Sequence, residues 1–279
     1  MRLSVKESSV VRPIAETPSG SVWLSSLDLL MPANHHTRIV YFYRSDGAVT
    51  FFNAAVLKEA LARVPADCDA QLDELGGFGP RNDIALIPKV DYSQGISSFP
   101  LLLLQLTRFK CGSICLGVAN EHHVSDGISA LHFINKWSDT ARGLTASSAV
   151  PPFFDRSLLS PRVPPQPYFP HVEYQPQPPL KTPLPNTTTN NTSHSTFTLT
   201  PDLLNSLKHK CSRQNESSYT TFEVVAGHVW RCVCAARSLP GDQETKVQIA
   251  VDGRSRLQPP LQHGFFGNTV FFMLDDLLI

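Results

Sequence analysis

The 279-residue chain has no net charge, no paired-cysteine motif and no long apolar run. Its 24 basic and 24 acidic residues cancel, which removes any overall electrostatic case for binding nucleic acid or an acidic membrane. None of the six cysteines stands in a CxxC spacing. Four of them lie in apolar stretches, and we interpret these as buried free thiols: Cys111, Cys115, Cys232 and Cys234. The longest apolar run, FPLLLLQL at 99–106, is too short to span a bilayer.

The sequence also lacks a Gly-rich phosphate loop, since FGPRND and HGFFGN are isolated turns. The first ten residues, MRLSVKESSV, have neither an apolar core nor a cleavage site, so no secretory signal is indicated and the cytosol is the expected location. The chain does have 42 % hydrophobic and 17 % charged residues, which is typical of a globular protein. Its length allows one large domain or two of ordinary size.

The most informative stretch is CLGVANEHHVSDGISALHFINKWSDTARG at 115–143. Its apolar beginning is typical of a buried strand, and from Gly127 onward the apolar residues recur at helical spacing up to a predicted stop at Gly143. Between the strand and the helix lie two imidazoles and a carboxylate, with His122 and Asp126 in an H-x-x-x-D spacing. Polar side chains at the end of a buried strand tend to face a cleft.

An imidazole suits general-base catalysis because its ordinary pKa of about 6.5 lies near the working pH. We therefore interpret His122 as a general base that projects into a cleft, and Asp126 as a residue that turns back to fix the loop. The spacing alone is a weak signal, and the alternative is a histidine satisfied by backbone groups with Asp126 capping the helix. A metal site is not predicted, because the spacing lacks the i, i+4 histidine pair of zinc proteases and a further ligand.

The remaining sequence predicts an irregular alternation of strands and helices. Strands are predicted at 2–12, 39–43, 99–109, 113–121, 195–199, 246–251 and 265–272, and helices at 54–64, at 201–210 and after the Thr220/Glu223 capping-box pattern. Residues 151–185 contain twelve of the 23 prolines, which indicates an extended connection. We divide the chain into an N-terminal domain at 1–149, a linker at 150–194 and the start of a C-terminal domain at 195–279. The fold class is α/β, in two layers with mixed sheets.

Several segments resemble the plant BAHD acyltransferases, and within that family the hydroxycinnamoyl-CoA:shikimate/quinate hydroxycinnamoyltransferases. The resemblance lies in HHVSDG with GISALHFINKWSDTARG, and also in VKESSVVRPIAETPSGSVWLSSLDLL, VYFYR, PQPYFPHVEYQPQPPLKTP, YTTFEVVAGHVWRCVCAARSLP and DGRSRLQPPLQHGFFGN. It implies a chloramphenicol-acetyltransferase-like fold. It also implies transfer of a hydroxycinnamoyl group from its CoA thioester to a hydroxyl acceptor such as shikimate or quinate. Acyl-CoA is then a co-substrate, and no cofactor is expected.

The same resemblance implies roles for individual residues. His122 matches the catalytic base of the family. The residues implied to support the catalytic loop are Asp126, Gly127 and Arg254, the last as the partner of the Asp126 carboxylate. The residues implied to line the acceptor pocket are His36, Thr37 and Tyr41. The expected partners are acyl-CoA and a small hydroxylated acceptor, without nucleic acid or membrane, and the chain is expected to be a monomer.

Two segments depart from the family pattern. After the predicted helix ending near Val64 the chain continues as PADCDAQLDELGGFGP, where family members carry a segment of the F-Y-P-x-A-G-R kind. It ends in MLDDLLI shortly after FFGN, without the D-F-G-W-G motif. We therefore expect an internally deleted member with a nearly complete first half and a truncated second half. Two functions stay open: an active CoA-dependent acyltransferase, or a catalytically dead relative that binds a ligand or misfolds.

Overall fold

A computed structural model of the chain describes residues 7–14, 23–48, 51–63, 86–95, 98–144, 150–171, 174–176, 179–181, 197–212 and 219–278. Helices and strands alternate irregularly along this part. Their bounds are α1 (Ser26–Leu29), β1 (His36–Tyr43), α2 (Ala54–Arg63), β2 (Leu102–Arg108), β3 (Ile114–Glu121), α3 (Gly127–Ala141), α4 (Pro201–Ser212), α5 (Thr221–Ala236), β4 (Glu244–Asp252) and β5 (Val270–Leu278). Within the described ranges, no helix combines the length and apolar character that crossing a membrane requires.

The chain forms two compact units, which do not follow the order of the sequence. The first comprises residues 1–166 and 252–271, and the second comprises 167–251 and 272–279. The stretch 252–271, which the sequence analysis assigned to the C-terminal domain, thus lies in the first unit. It does so because Arg254 and Asn268 bind groups at the turn between β3 and α3. The domain boundaries after residues 149 and 194 stay a prediction.

An antiparallel sheet in the order β1-β3-β2 forms the centre of the first unit. β3 is the middle strand and is buried along its whole length, as its apolar sequence predicts. Leu116 and Val118 on one face of β3 pack in a core cluster with Trp137 of α3. The indole Nε1 of Trp137 also donates to the carbonyl oxygen of Leu57 in α2, at 2.8 Å. The sheet and these two helices therefore form the two layers expected of an α/β fold.

The other face of β3 is covered by the segment that begins at Leu86. A Cβ atom built on Gly117 would lie 1.9 Å from the Leu86 carbonyl oxygen, so the backbone comes too close for any larger residue. In β1, Ile39, Tyr41 and Tyr43 pack against the core cluster, while the residues between them are more exposed. Neighbouring residues of β1 therefore face opposite sides of the sheet.

α3 begins at the turn that carries the H-x-x-x-D spacing. Asp126 is its N-cap, and Oδ1 of the carboxylate accepts a hydrogen bond from the main-chain N of Ser129 at 3.0 Å. After Ala141 the helix is followed by Gly143, which has a φ of +69°. The buried side chains of α3 include Ile134 and Trp137, so the predicted amphipathic helix is confirmed.

In the second unit α5 has the capping box that its sequence predicts. The Thr220 hydroxyl accepts from the main-chain N of Glu223 at 3.2 Å, and the Glu223 carboxylate accepts from the main-chain N of Thr220 at 2.7 Å. Trp230 of α5 donates from Nε1 to the hydroxyl of Thr245 in β4, at 3.1 Å. The strands β4 and β5 pair with one another.

Two predicted strands are wrong in the described residues, and a third begins later than predicted. Residues 8–10 and 12 and residues 197–199 form no strand, and the strand predicted from residue 265 begins only at Val270. A strand needs a neighbouring strand for its backbone groups, and apolar alternation alone does not reveal one. The main-chain N atoms of Asn268 and Thr269 donate instead to the carboxylates of Asp28 and Asp126. Residues 65–96 are rich in Asp and Gly and weakly periodic, which predicts a loop, and most of them lie outside the described residues.

Candidate active site

His122 is the first residue after β3 and is partly exposed, whereas Glu121 and His123 on either side are buried. The main-chain N of His122 donates to the carbonyl oxygen of His35 at 3.1 Å, which ties the turn to the start of β1. The two imidazoles of His35 and His122 lie with their ring centroids 5.7 Å apart. Burial, and then the electrostatic interaction with the His122 ring, lower the pKa of His35.

The His122 ring is oriented by Asn268. Oδ1 of the Asn268 amide lies 3.2 Å from Nδ1 of His122, and Nδ2 of the same amide donates to the His122 carbonyl oxygen at 2.7 Å. Because an amide oxygen can only accept, Nδ1 of His122 carries the proton. In the neutral ring the lone pair is then on Nε2, for which the described residues provide no hydrogen bond. The ring is thus held in the tautomer that leaves Nε2 as the unprotonated nitrogen.

The Asp126 carboxylate binds Arg254. Nη1 of Arg254 donates to Oδ2 at 2.8 Å and Nη2 donates to Oδ1 at 2.9 Å, which is the contact implied by the resemblance. Burial raises the pKa of Asp126, but hydrogen bonds from Arg254 and from the main-chain N of Ser129 outweigh it, so that the pKa is lowered. Within the described part of the chain, Asp126 forms no hydrogen bond with His122.

Arg254 joins the start of α3 to the 252–271 segment. Besides Asp126, its guanidinium donates to the hydroxyls of Ser129 and Thr269, to the Asp252 carboxylate and to the Gly267 carbonyl oxygen. Burial lowers the pKa of Arg254, but the Asp126 and Asp252 carboxylates outweigh it and raise the pKa above its ordinary value. The guanidinium therefore stays charged and fixes the turn from its C-terminal side.

Gly127 does not need to be glycine for the packing of the described protein atoms. It is the first residue of α3, is exposed and does not have a positive φ. A Cβ atom at this position would meet nothing within 4 Å. Asp126 and Arg254 hold the turn through the contacts described above, and the supporting role that the resemblance implies for Gly127 stays a prediction.

His123 is bound within the turn. Its Nδ1 lies 2.6 Å from Oε1 of Glu121, and its main-chain N donates to Oε2 of the same carboxylate at 2.7 Å. Both side chains are buried. The Ser125 hydroxyl also donates to the side-chain oxygen of Asn120 at 2.9 Å. These hydrogen bonds between buried side chains of the turn hold its backbone in place, while the His122 ring stays partly exposed.

The structure does not bring the three predicted acceptor residues together. His36 lies on the opposite face of β1 from Thr37 and Tyr41, and its exposed fraction is 1 %. Its Nδ1 is 2.9 Å from the Tyr92 hydroxyl and its Nε2 is 2.8 Å from the Pro100 carbonyl oxygen. Since both ring nitrogens have protein partners, this geometry does not support His36 as a substrate contact.

Thr37 and Tyr41 differ from His36 in having unused hydroxyl groups. The Thr37 Oγ1 and Tyr41 hydroxyl oxygens are buried and have no hydrogen-bond partner among the described residues. Burial raises the pKa of Tyr41, so its hydroxyl remains a donor at neutral pH. A buried hydroxyl without a partner costs free energy and is unusual. The role of Thr37 and Tyr41 as acceptor contacts stays a prediction.

The described residues contain no group of three or more His, Cys, Asp or Glu side chains placed to hold a metal ion. Free thiols occur at Cys111, Cys115, Cys211, Cys232 and Cys234. Only Cys115 and Cys234 of these are buried, so burial was predicted wrongly for Cys111 and Cys232. In α5 this follows from the helix geometry, because residues two positions apart face different sides. Cys68 lies outside the described residues.

Sequence reasoning missed Asn268 and Asp28. Asn268 is 146 positions from His122 and 240 positions from Asp28, so no local spacing connects them. Both are buried, with exposed fractions of 0 %. The sequence signals were the Gly-Asn pair in FFGN and a carboxylate inside the apolar stretch WLSSLDLLM.

Residues 62–276 match the Transferase family. The chain is 53 % identical over 307 residues to rosmarinate synthase of Plectranthus scutellarioides, covering 98 % of this chain and 70 % of that protein. It is 49 % identical over 308 residues to shikimate O-hydroxycinnamoyltransferase of Nicotiana tabacum, covering 97 % of this chain and 70 % of that protein. The first alignment is longer than the 279-residue chain, so that relative has residues in the matched region which this chain lacks.

Two solved structures have a similar fold. The crystal structure of vinorine synthase matches with a TM-score of 0.67 and 21 % identity, covering 97 % of this chain and 70 % of that chain. The crystal structure of F. graminearum TRI101 complexed with coenzyme A and T-2 mycotoxin matches with a TM-score of 0.64 and 14 % identity, covering 92 % and 69 %. At such identities the likeness shows the fold alone, which is the predicted α/β fold.

Proposed function

The chain belongs to the Transferase family of BAHD acyltransferases, and on that premise we propose that it transfers a hydroxycinnamoyl group from its CoA thioester to a hydroxyl acceptor such as shikimate or quinate. His122 is the general base of this reaction. Acyl-CoA is a co-substrate, and no cofactor takes part. The names of the relatives from Plectranthus scutellarioides and Nicotiana tabacum support acyl transfer of this kind.

The observation that carries the proposal is the contact between Asn268 Oδ1 and His122 Nδ1. It places the ring proton on Nδ1 and leaves Nε2 free to take a proton. The ring is partly exposed on a turn whose other side chains are bound to the protein, so an acceptor hydroxyl can reach it. General-base assistance of this kind contributes about 10²–10⁴-fold to a rate.

In the proposed reaction, Nε2 of His122 takes the proton of the acceptor hydroxyl as its oxygen attacks the thioester carbonyl carbon. The tetrahedral intermediate collapses with cleavage of the carbon–sulfur bond. The departing thiolate of CoA then receives the proton from His122, which regenerates the neutral ring. No covalent enzyme intermediate is required, and within the described residues no serine or cysteine side chain is hydrogen bonded to His122.

Thr37 and Tyr41 are the proposed acceptor contacts. Their buried hydroxyls have no described protein partner, and the acceptors in question carry several hydroxyl groups that would satisfy them. His36 is left out because its ring nitrogens are occupied. The alternative of a catalytically dead relative is not favoured, because similarity to named transferases runs along 97–98 % of the chain.

The test is an acyl-transfer assay on the purified 279-residue chain. p-Coumaroyl-CoA is the donor, and shikimate and quinate are offered separately, with release of free thiol and formation of the ester both measured. We expect turnover with at least one acceptor and equal amounts of thiol and ester. Thiol release without ester would show thioester hydrolysis instead, and the absence of both products would contradict the proposal.

A further inference from the structure

Asp28 is a fully buried carboxylate in α1 that the proposed reaction does not use. Its Oδ2 accepts from the main-chain N of Ser25 at 2.8 Å and from the Ser25 hydroxyl at 2.7 Å. Its Oδ1 accepts from Asn268 twice, from the main-chain N at 3.0 Å and from Nδ2 at 2.9 Å. One oxygen of the carboxylate therefore completes the capping box of α1, while the other holds Asn268.

The position of Asp28 decides which way the Asn268 amide lies. Two acceptors, Asp28 Oδ1 and the His122 carbonyl oxygen, face the same end of this amide. Only its NH2 group can donate to both, so its oxygen is directed at His122 Nδ1. The reversed amide would place an oxygen against a carboxylate and a carbonyl oxygen. Both acceptors would then be left buried without a donor from this amide, which is costly.

We propose that Asp28 is a positioning residue that sets the tautomer of His122 through Asn268. Loss of the carboxylate charge allows the amide to turn over and to present its NH2 group to His122 Nδ1. That nitrogen must then accept, so the ring proton moves to Nε2 and the lone pair needed by the base is lost. This inference rests on the proposed function of His122, but the tautomer itself can be observed without substrate.

Arg156 forms an ion pair with Asp28 and also donates a hydrogen bond to the turn that carries His122. Its Nη1 lies 3.7 Å from Asp28 Oδ2, and both side chains are almost completely buried. Its Nη2 donates to the carbonyl oxygen of Val124, within the turn, at 2.7 Å. Burial lowers the pKa of Arg156 and the charge of Asp28 acts against it. An ion pair shielded from water thus stands behind Asn268.

The test compares wild type with Asp28→Asn by nitrogen-15 NMR of the histidine rings, because protonated and unprotonated ring nitrogens have distinct shifts. We expect the proton of His122 on Nδ1 in wild type. In Asp28→Asn the new amide has a single acceptor oxygen, whereas Ser25 and Asn268 both donate to the wild-type carboxylate. The Asn268 amide is then free to turn over, and we expect a substantial share of the His122 proton to move to Nε2. We expect the kcat for acyl transfer to fall about 10- to 100-fold, because only part of the rate contribution of the general base is lost. The KM should change little.

Glu121→Gln is the matched control. It also converts a buried carboxylate beside the turn to an amide, but Glu121 binds His123 and makes no described contact with Asn268. The control should keep the His122 proton on Nδ1. A wild-type ring protonated on Nε2 overturns the proposal without any variant, even if Asp28→Asn does not fold. A folded Asp28→Asn protein with the wild-type tautomer, or a control that shifts equally, overturns it as well.

This experiment separates the two proposals. If the tautomer shifts in Asp28→Asn while wild type shows no acyl transfer, the positioning role of Asp28 stands and the proposed function fails. If wild type transfers the acyl group and the tautomer does not depend on Asp28, the proposed function stands and the positioning role fails.

Discussion

Arg254 binds both oxygens of the Asp126 carboxylate although 128 positions separate the two residues in the chain. The exposed fractions of the two side chains are 15 % and 3 %. Asp126 is at the same time the N-cap of α3, so this one ion pair fixes the start of the helix that follows the turn of His122. The carboxylate of the H-x-x-x-D spacing therefore supports the turn and does not orient the imidazole, a task that Asn268 performs.

The first prediction concerns the stability of this pair. Arg254→Met leaves the Asp126 carboxylate buried without its guanidinium, which we expect to lower the free energy of unfolding by about 3–5 kcal/mol. Urea unfolding measures it. The matched control is Arg256→Met in the same DGRSR segment, where the side chain is exposed and the loss should stay below about 1 kcal/mol. Equal losses in both variants would contradict a specific role for the pair.

A second prediction gives the pH dependence of the same carboxylate. Its pKa in the folded state is lowered, so the folded protein binds fewer protons here than the unfolded chain, whose aspartate pKa is about 3.9. The stabilisation is therefore complete above about pH 5 and is lost as the pH falls through the lower folded pKa. The difference in unfolding free energy between wild type and Asp126→Asn should shrink below about pH 4. A difference that stays constant down to pH 2 would be the opposite result.

A third prediction separates acceptor contacts from structural residues in β1. Thr37→Val and Tyr41→Phe remove hydroxyls that have no described partner, so stability should be unchanged or higher. The KM for the acceptor should rise about 2- to 10-fold, the equivalent of one hydrogen bond of about 0.5–1.5 kcal/mol. His36→Leu should lower stability and leave the acceptor KM unchanged. It leaves the Pro100 carbonyl without its ring donor and removes one partner of the Tyr92 hydroxyl, which still accepts from the main-chain N of residue 36. If His36→Leu raised the acceptor KM without loss of stability, this division would be wrong.

A fourth prediction compares two glycines on either side of the turn. Gly117→Ala would place its Cβ 1.9 Å from the Leu86 carbonyl oxygen, so the backbone must move and a large destabilisation is expected, above about 3 kcal/mol. Gly127→Ala meets nothing within 4 Å in a helix and should be neutral or stabilise by up to about 1 kcal/mol. Thermal unfolding of both variants checks this. A stable Gly127→Ala protein with lost activity would show that substrate needs the space.

Local sequence patterns predicted the parts of the fold that local physics decides. The apolar run of β3 and the helical period of α3 were sufficient to place His122 at the end of a buried strand. The Asp126–Arg254 pair was found through family resemblance, since no spacing rule connects residues so far apart. His36 shows a signal that was overlooked: alternation along a strand places residues 36 and 37 on opposite faces, so they cannot line one pocket in the same way.

Asn268 and Asp28 could not be found in this way. Asn268 lies in a short apolar segment without an evident local partner. Asp28 has a local partner in Ser25, but the fold alone brings residues 28, 122 and 268 together. The strand predicted from residue 265 begins only at Val270 for the same reason, because the backbone of Asn268 and Thr269 binds distant carboxylates and not a neighbouring strand. Long-range polar contacts of this kind decide both the local backbone and the chemistry of the site.

The most direct measurement of the central claim is the kcat for acyl transfer by His122→Ala beside His123→Ala. His122→Ala removes the base from a partly exposed position, so we expect kcat to fall about 10²–10⁴-fold with unchanged circular dichroism. His123→Ala breaks the contact with Glu121 and should mainly lower stability, with a smaller loss of kcat in the folded fraction. Equal losses of kcat in two well-folded variants, or turnover by His122→Ala at the wild-type rate, would contradict His122 as the base.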